Sequence, residues 1–264
     1  MNIFASIPFP IQIMSVFLLG LSLGSFANVC IYRFPKDKSI VVPRSHCQSC
    51  KEKILIRDNI PVLSFLLLGG ECRKCSTSIP ILYPVVEVST ALLLLAGFIK
   101  LGVSMKFSIF CLIGPALLTV TIIDIKHKII PDTITLPGII FGMVAGSYLV
   151  GPRESLLGLI SGGGLFLFSS EIYYRVLGRV GMGCGDIKFI AAIGALLGLK
   201  QVLLVIFLSA FMGSIVGLIS LLGKQFNATS QIPFGPFLAL GTLIVYFSGE
   251  NIINFYFVTM MSGY

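Results

Sequence analysis

The chain predicts an all-α polytopic membrane protein of about eight transmembrane helices, with a small cytoplasmic zinc-ribbon-like domain between the first two spans. Three observations carry that prediction. The 264 residues are 56% hydrophobic with a mean hydropathy of +0.99, and only 11% are charged, against about a quarter in soluble domains. Apolar stretches recur at the length of about 20 residues that a bilayer-crossing helix requires. One interval is polar, and it holds two Cys-x-x-Cys pairs. Together these exclude an ordinary soluble domain.

The first apolar stretch covers residues 11–31. It lacks a basic n-region and a clear small-residue cleavage site, so it is expected to be retained as a span within a first segment, 1–32, and not removed as a signal peptide. From 33 to 80 the composition turns polar, with nine of the 19 basic residues and four of the seven cysteines. This is the predicted inserted domain. The remainder, 81–264, is a membrane core with candidate spans at 81–99, 107–123, 134–150, 155–174, 186–199, 201–222 and 234–260. The sixth span of the chain is short, and the last is long enough to tilt or break. Gly and Pro mark the connections, at Pro131, Pro137, Gly151-Pro152, Gly162-Gly163-Gly164 and Pro233-Phe234-Gly235-Pro236. No fixed-period repeat is visible, and the chain stops within a few residues of the last span.

The basic residues orient this core. With the amino terminus outside, the basic residues from Arg33 to Lys74 lie inside with Lys126, Lys128, Arg175, Arg179, Lys188 and Lys224. Only Lys100, Lys106, Arg153 and Lys200 lie outside, as the positive-inside rule requires. The net charge of +8 therefore reads as a topological signal that also suits anionic lipid, with no nucleic-acid partner expected.

Cys47 and Cys50, then Cys72 and Cys75, are separated by 21 residues. Two such pairs can close a tetrahedral zinc site, and a structural metal supplies folding energy that a loop with little apolar core lacks. A cytoplasmic location disfavours disulfides. His46 is a bystander to four sulfurs. Cys30, Cys111 and Cys184 have no partner at ligand spacing and read as buried apolar thiols.

Two aspartates stand at span ends. Asp124 closes the stretch 107–123, and Asp186 ends Gly181-Met182-Gly183-Cys184-Gly185-Asp186 where the next apolar run begins. An ionisable residue at that depth is costly unless it faces a wet, protein-lined cavity, so each marks a candidate site. Two spans separate them, which returns both to the cytoplasmic leaflet. If they approach, they share a proton, one carboxylate activating water while the other polarises or protonates a scissile carbonyl. Gly183 and Gly185 leave space for an extended peptide beside Asp186. Simpler roles exist for each acid: Asp186 as a helix N-cap, Asp124 paired with Lys126 or Lys128, and Asp132 as a cap or first-turn residue. Glu87 is a further intramembrane acid whose role stays open.

The motifs Gly24-Ser25-Phe26-Ala27-Asn28-Val29, Tyr32-Arg33-Phe34-Pro35, Asn59-Ile60-Pro61-Val62-Leu63-Ser64 between the cysteine pairs, Tyr83-Pro84-Val85-Val86-Glu87, Asp124 with Ile130-Pro131-Asp132, and Gly183-Cys184-Gly185-Asp186-Ile187-Lys188 occur in that order. Together they resemble the bacterial type IV prepilin peptidases, a GxGD aspartic peptidase family, from about residue 20 to 200. Pro233-Phe234-Gly235-Pro236 resembles the family's last cytoplasmic loop. The resemblance implies a multi-pass enzyme of the bacterial inner membrane, with its active site and zinc domain facing the cytoplasm. It would remove the basic leader from prepilins and pseudopilins and then N-methylate the new amino terminus with S-adenosylmethionine. The family's catalytic aspartates fall on Asp124 and Asp186 and its metal cysteines on Cys47, Cys50, Cys72 and Cys75. One departure stands out: where the family commonly has Arg-Gly-Lys/Arg-Cys, this chain has Gly69-Gly70-Glu71-Cys72, which puts the methyl transfer in question.

Two other classes share part of this pattern. GxGD proteases that cut within a transmembrane helix have the aspartates without the cysteine domain. A transporter or scaffold with a zinc-stabilised loop would use the aspartates as a proton relay. The residues that bind S-adenosylmethionine, the oligomeric state and the particular pilus or secretion system served are not legible.

Overall fold

The computed structural model describes residues 7–178, 181–222 and 232–261. Arg179 and Lys224 of the charge count lie outside the described residues, as do residues 1–6, where a basic n-region would stand. Among the described residues nine α-helices form, and in place of strands there are only two isolated antiparallel bridges, His46 with Lys53 and Glu71 with Ser78. The helices are α1 (Phe9–Arg33), α2 (Leu63–Leu67), α3 (Leu82–Leu101), α4 (Met105–His127), α5 (Asp132–Leu149), α6 (Pro152–Leu177), α7 (Cys184–Leu197), α8 (Leu199–Leu222) and α9 (Gly235–Met261).

Seven of these helices are long and apolar enough to cross a membrane. The helix over the short sixth candidate, α7, has 14 residues and so rises about 21 Å, less than the roughly 30 Å of a hydrocarbon core. It is enclosed by protein instead: every residue from Phe189 to Leu197 is buried. The last candidate span is one unbroken helix of 27 residues.

Backbone contacts divide the chain into two units, Met1–Thr119 and Val120–Tyr264. In the first, α1 and α3 pack closely because Gly20 and Gly24, one turn apart on α1, present bare backbone. A Cβ on Gly20 would stand 2.5 Å from the Ala91 Cα, and one on Gly24 would stand 2.6 Å from the Glu87 Cα. Lipid is as apolar as leucine, so such close approach of small residues, and not hydrophobic burial, holds membrane helices together. Between α1 and α3 the chain is irregular, with 3₁₀ turns at Phe34–Lys36 and Ile56–Asn59. The buried Arg33 ends α1 and folds the exit back, donating to the carbonyls of Ser39 (2.7 Å) and Pro43 (2.6 Å).

In the second unit α7 packs mainly against α5 and α6, and glycines again set the distance. Gly142 and Gly146 of α5 face the backbones of Ala192 and Ala195, and Gly162 of α6 faces the Ile190 carbonyl. Gly158 of α6 and Gly194 of α7 meet backbone to backbone. The Ser155 hydroxyl adds a hydrogen bond to the Ala195 carbonyl at 2.6 Å. These contacts fix where α7 begins, and its first turn carries Asp186.

Candidate active site and metal centre

Asp186 is the third residue of α7; the helix is capped by Gly183 and not by Asp186. The anticipated capping role is therefore not the one this carboxyl plays. Its Oδ1 is buried without a hydrogen-bond partner. The glycines before it have separate steric reasons. A Cβ on Gly183 would come within 3.0 Å of Asp186 Oδ2, so its absence leaves room for the carboxylate. At Gly185 a Cβ would stand 2.9 Å from both the Cβ and the carbonyl oxygen of Ile130. The space beside Gly185 is thus filled by the chain's own α4–α5 connection, and not left open to a peptide as the sequence suggested.

Asp124 lies near the end of α4, 4% exposed. Its Oδ2 accepts the backbone N–H of Gly235 at 2.8 Å. Gly235 is the first residue of α9, whose free N–H groups and dipole favour a carboxylate there. A Cβ at this position would lie 2.7 Å from the same oxygen, so only glycine lets the main chain approach. The fold brings Asp124 within electrostatic reach of Asp186, although 62 residues separate them. Sequence reasoning noted the Pro233–Pro236 motif but not this partnership, because a contact across 111 positions leaves no local periodic signal.

Asp132 opens α5 and is half-exposed, with Lys188 of α7 donating to both its oxygens at 2.8 and 2.7 Å. It is the first-turn residue expected, and it ties the start of α5 to the first turns of α7.

In the first unit the four sulfurs of Cys47, Cys50, Cys72 and Cys75 lie within 4.8 Å of one another, and Cys47 and Cys75 are 3.8 Å apart. Zinc at about 2.3 Å from each thiolate sets a tetrahedral edge of about 3.8 Å, so this donor set fits zinc. The two pairs sit on matching turns 25 residues apart. Cys47 N–H donates to Glu52, and Lys51 N–H returns to Cys47; Cys72 N–H donates to Thr77, and Ser76 N–H returns to Cys72. Lys51 (φ 61°) and Ser76 (φ 52°) both take left-handed backbone there. The Thr77 hydroxyl, 3.3 Å from the Cys75 sulfur, together with its backbone N–H, pulls that thiol down to about 6. His46 stays out of the cluster, its Nδ1 3.0 Å from the Arg44 carbonyl oxygen. Where the resemblance led to basic residues before Cys72, the charges following it form ion pairs: Arg73 grips Asp58 through two bonds of 3.0 and 2.7 Å, and Lys74 meets Glu52 at 3.0 Å. The guanidinium holds the Asp58 carboxyl below its usual range.

Glu87 also acquires a role. It is 7% exposed on α3, and its Oε2 accepts the Val62 N–H at 2.7 Å. Val62 sits at φ 60°, ψ −50°, with Leu63 N–H donating to the Pro61 carbonyl at 2.6 Å. This is a strained γ-turn that a β-branched residue does not adopt unaided.

The profile of the Bacterial Peptidase A24 N-terminal domain matches residues 18–101, and that of the Type IV leader peptidase family matches residues 111–218. A prepilin leader peptidase/N-methyltransferase of Aeromonas salmonicida is 33% identical over 276 residues, covering 93% of this chain and 94% of that protein. Proteins of the same name from Bacillus subtilis (34% identical; 91% of this chain, 96% of that protein) and Pseudomonas aeruginosa (33%; 92% and 93%) are similar over the same extent. No solved structure matches.

Proposed function

Because this chain belongs to the type IV leader peptidase family, we propose that it removes the leader peptide from type IV prepilins and pseudopilins at the cytoplasmic face of the bacterial inner membrane. It then N-methylates the amino terminus that cleavage exposes. The observation that supports the peptidase half is that the buried Asp124 of α4 lies within electrostatic reach of Asp186 of α7, a half-buried acid whose Oδ1 is buried and unpartnered. Asp124 and Asp186 share one proton between them, since two adjacent carboxylates do not both ionise readily. The ionised member takes a proton from water as the water oxygen attacks the scissile carbonyl carbon. The protonated member donates to the carbonyl oxygen. Collapse of the tetrahedral intermediate breaks the C–N bond, and the leaving amine takes up a proton.

The leader of a prepilin precedes an apolar helix, so its scissile bond comes to the membrane depth of helix ends such as those bearing the aspartates. Cys47, Cys50, Cys72 and Cys75 hold a structural zinc that orders the polar segment between α1 and α3. S-adenosylmethionine supplies the methyl group.

The test is leader removal from a purified prepilin by Asp124→Asn and Asp186→Asn proteins recovered from membranes in normal amounts. Both variants are expected to leave the prepilin uncut. Cleavage by either one removes the dyad assignment.

A further inference from the structure

The polar segment between α1 and α3 is not polar throughout. Helix α2 within it is apolar on two sides. Phe65 and the Leu68 that ends the helix line a cavity that α1 and α3 also border. Leu63, Leu66 and Leu67 turn the other way, and the last two are 68% and 75% exposed. A helix that is hydrophobic all round belongs in an apolar surrounding, yet the described residues leave this side bare.

The depth of α2 says what covers it. Helix α3 is long and apolar enough to cross a membrane, and its 20 residues rise about 30 Å, the full thickness of a hydrocarbon core. Glu87 lies in its second turn, about 7.5 Å past Leu82, and Glu87 Oε2 accepts the Val62 N–H at 2.7 Å. Side chains on a helix lean toward its amino end, so Val62 and the start of α2 stand level with the first turns of α3. That is at the edge of the core, where water does not reach a backbone N–H and protein must supply its partner. Glu87 supplies it.

The surrounding charge fits a lipid surface. Lys36, Lys38, Arg44, Lys51, Lys53 and Arg57 are all exposed. Among the described residues none of these six forms an ion pair, whereas Arg73 and Lys74 take Asp58 and Glu52. Cations beside bare leucines mark an element that lies in a membrane interface, and such cations are drawn to anionic headgroups. We infer that α2 is seated in the bilayer, at the headgroup–acyl boundary of the leaflet where α1 ends and α3 begins. Leu63, Leu66 and Leu67 enter the acyl chains, and the six cations meet anionic headgroups. A water-soluble partner would have to reach beneath the headgroups to cover the same leucines, so lipid is the occupant.

The chain contains no tryptophan, so Leu67→Trp and, separately, Leu66→Trp each provide a single emitter at a site with room for it. The full chain is reconstituted in phosphatidylethanolamine–phosphatidylglycerol vesicles, with Ile99→Trp, on the exposed side of α3, as the reference within the membrane. Both variants are expected to emit at a blue-shifted wavelength and to resist acrylamide. They should lose most of their emission to lipids brominated on the acyl chains, as the reference does. Brominated phosphatidylglycerol is expected to quench them more than brominated phosphatidylcholine at equal mole fraction. Emission open to acrylamide and untouched by brominated lipid overturns the seating of α2. Emission shielded from both quenchers overturns it too, because protein then covers the leucines. Equal quenching by the two brominated lipids overturns the contact with anionic headgroups.

Discussion

Replacing Gly235 by alanine tests whether the first turn of α9 positions the dyad. The added Cβ would stand 2.7 Å from Asp124 Oδ2 and 3.2 Å from its Cβ and Cγ. A carbon and an oxygen settle at roughly 3.3–3.5 Å, so the carboxylate or the helix start must give way by about 0.6–0.8 Å. The 2.8 Å hydrogen bond from the Gly235 N–H is stretched or lost in the process. A misplacement approaching 1 Å at a catalytic group costs up to about 100-fold in rate, or about 2.7 kcal/mol of barrier. We therefore expect kcat/KM for leader removal to fall by about 30- to 100-fold, followed by gel shift of a purified prepilin in detergent. Gly164→Ala is the control, because nothing lies within 4 Å of a Cβ at that position on α6, and it should cleave as the wild type does. A folded Gly235→Ala protein that cleaves within twofold of wild type would refute the reasoning.

The other predictions concern the metal and the ion pair. Purified protein should contain about one zinc per chain, lost when Cys47 and Cys75 are replaced by serine, as read by elemental analysis. The Cys75 thiol lies below its ordinary value of 9.0, at about 6. A thiol lowered in the folded state contributes stability that is complete above about 9 and is lost as pH falls through about 6. Because protons compete with zinc for all four thiolates, zinc retained after dialysis should drop between about pH 7.5 and about pH 5 rather than rise, and full retention at about pH 5 would count against thiolate ligation. Asp132→Asn breaks a half-exposed pair with Lys188 worth no more than about 1 kcal/mol, so leader removal should stay within about fivefold of wild type. A loss as large as that of Asp124→Asn would place Asp132 in the chemistry.

The spans, and the two acids at helix ends that the fold sets within electrostatic reach of each other, were legible in the sequence because they follow from rules that act along the chain. Apolar runs of bilayer length mark the helices, and the charge bias places Asp124 and Asp186 toward one leaflet without knowledge of any contact. The four cysteines were legible by spacing alone. What stayed hidden depends on distant backbone. Gly235 looks like any loop glycine until its N–H is seen on Asp124. Gly185 looks like room for substrate until Ile130 is found filling it. The two cysteine turns share hydrogen bonding and left-handed Lys51 and Ser76, yet the side chains at those positions differ, so no repeat shows in the letters. Glu87 reads as an odd acid in an apolar helix, and its work of holding the Val62 N–H belongs to a fold-back of 25 residues. Helix α7 was correctly short in the sequence, but its apolar character does not reveal whether lipid or protein surrounds it.

That enclosure of α7 has a mechanical consequence. Its neighbours touch it main chain to main chain, at Gly142, Gly146, Gly158 and Gly162, where no rotamer can swing aside to absorb a displacement. Sliding the helix along its axis by even one residue, about 1.5 Å, would drive the carbonyls of Ile190, Ala192, Gly194 and Ala195 out of the notches those glycines provide. Asp186 at its tip is therefore held like the stop on a depth gauge. A substrate helix of fixed length, threaded from the membrane toward such a stop, would be measured by it, so the point of cleavage would be set by distance as well as by the residues flanking the bond.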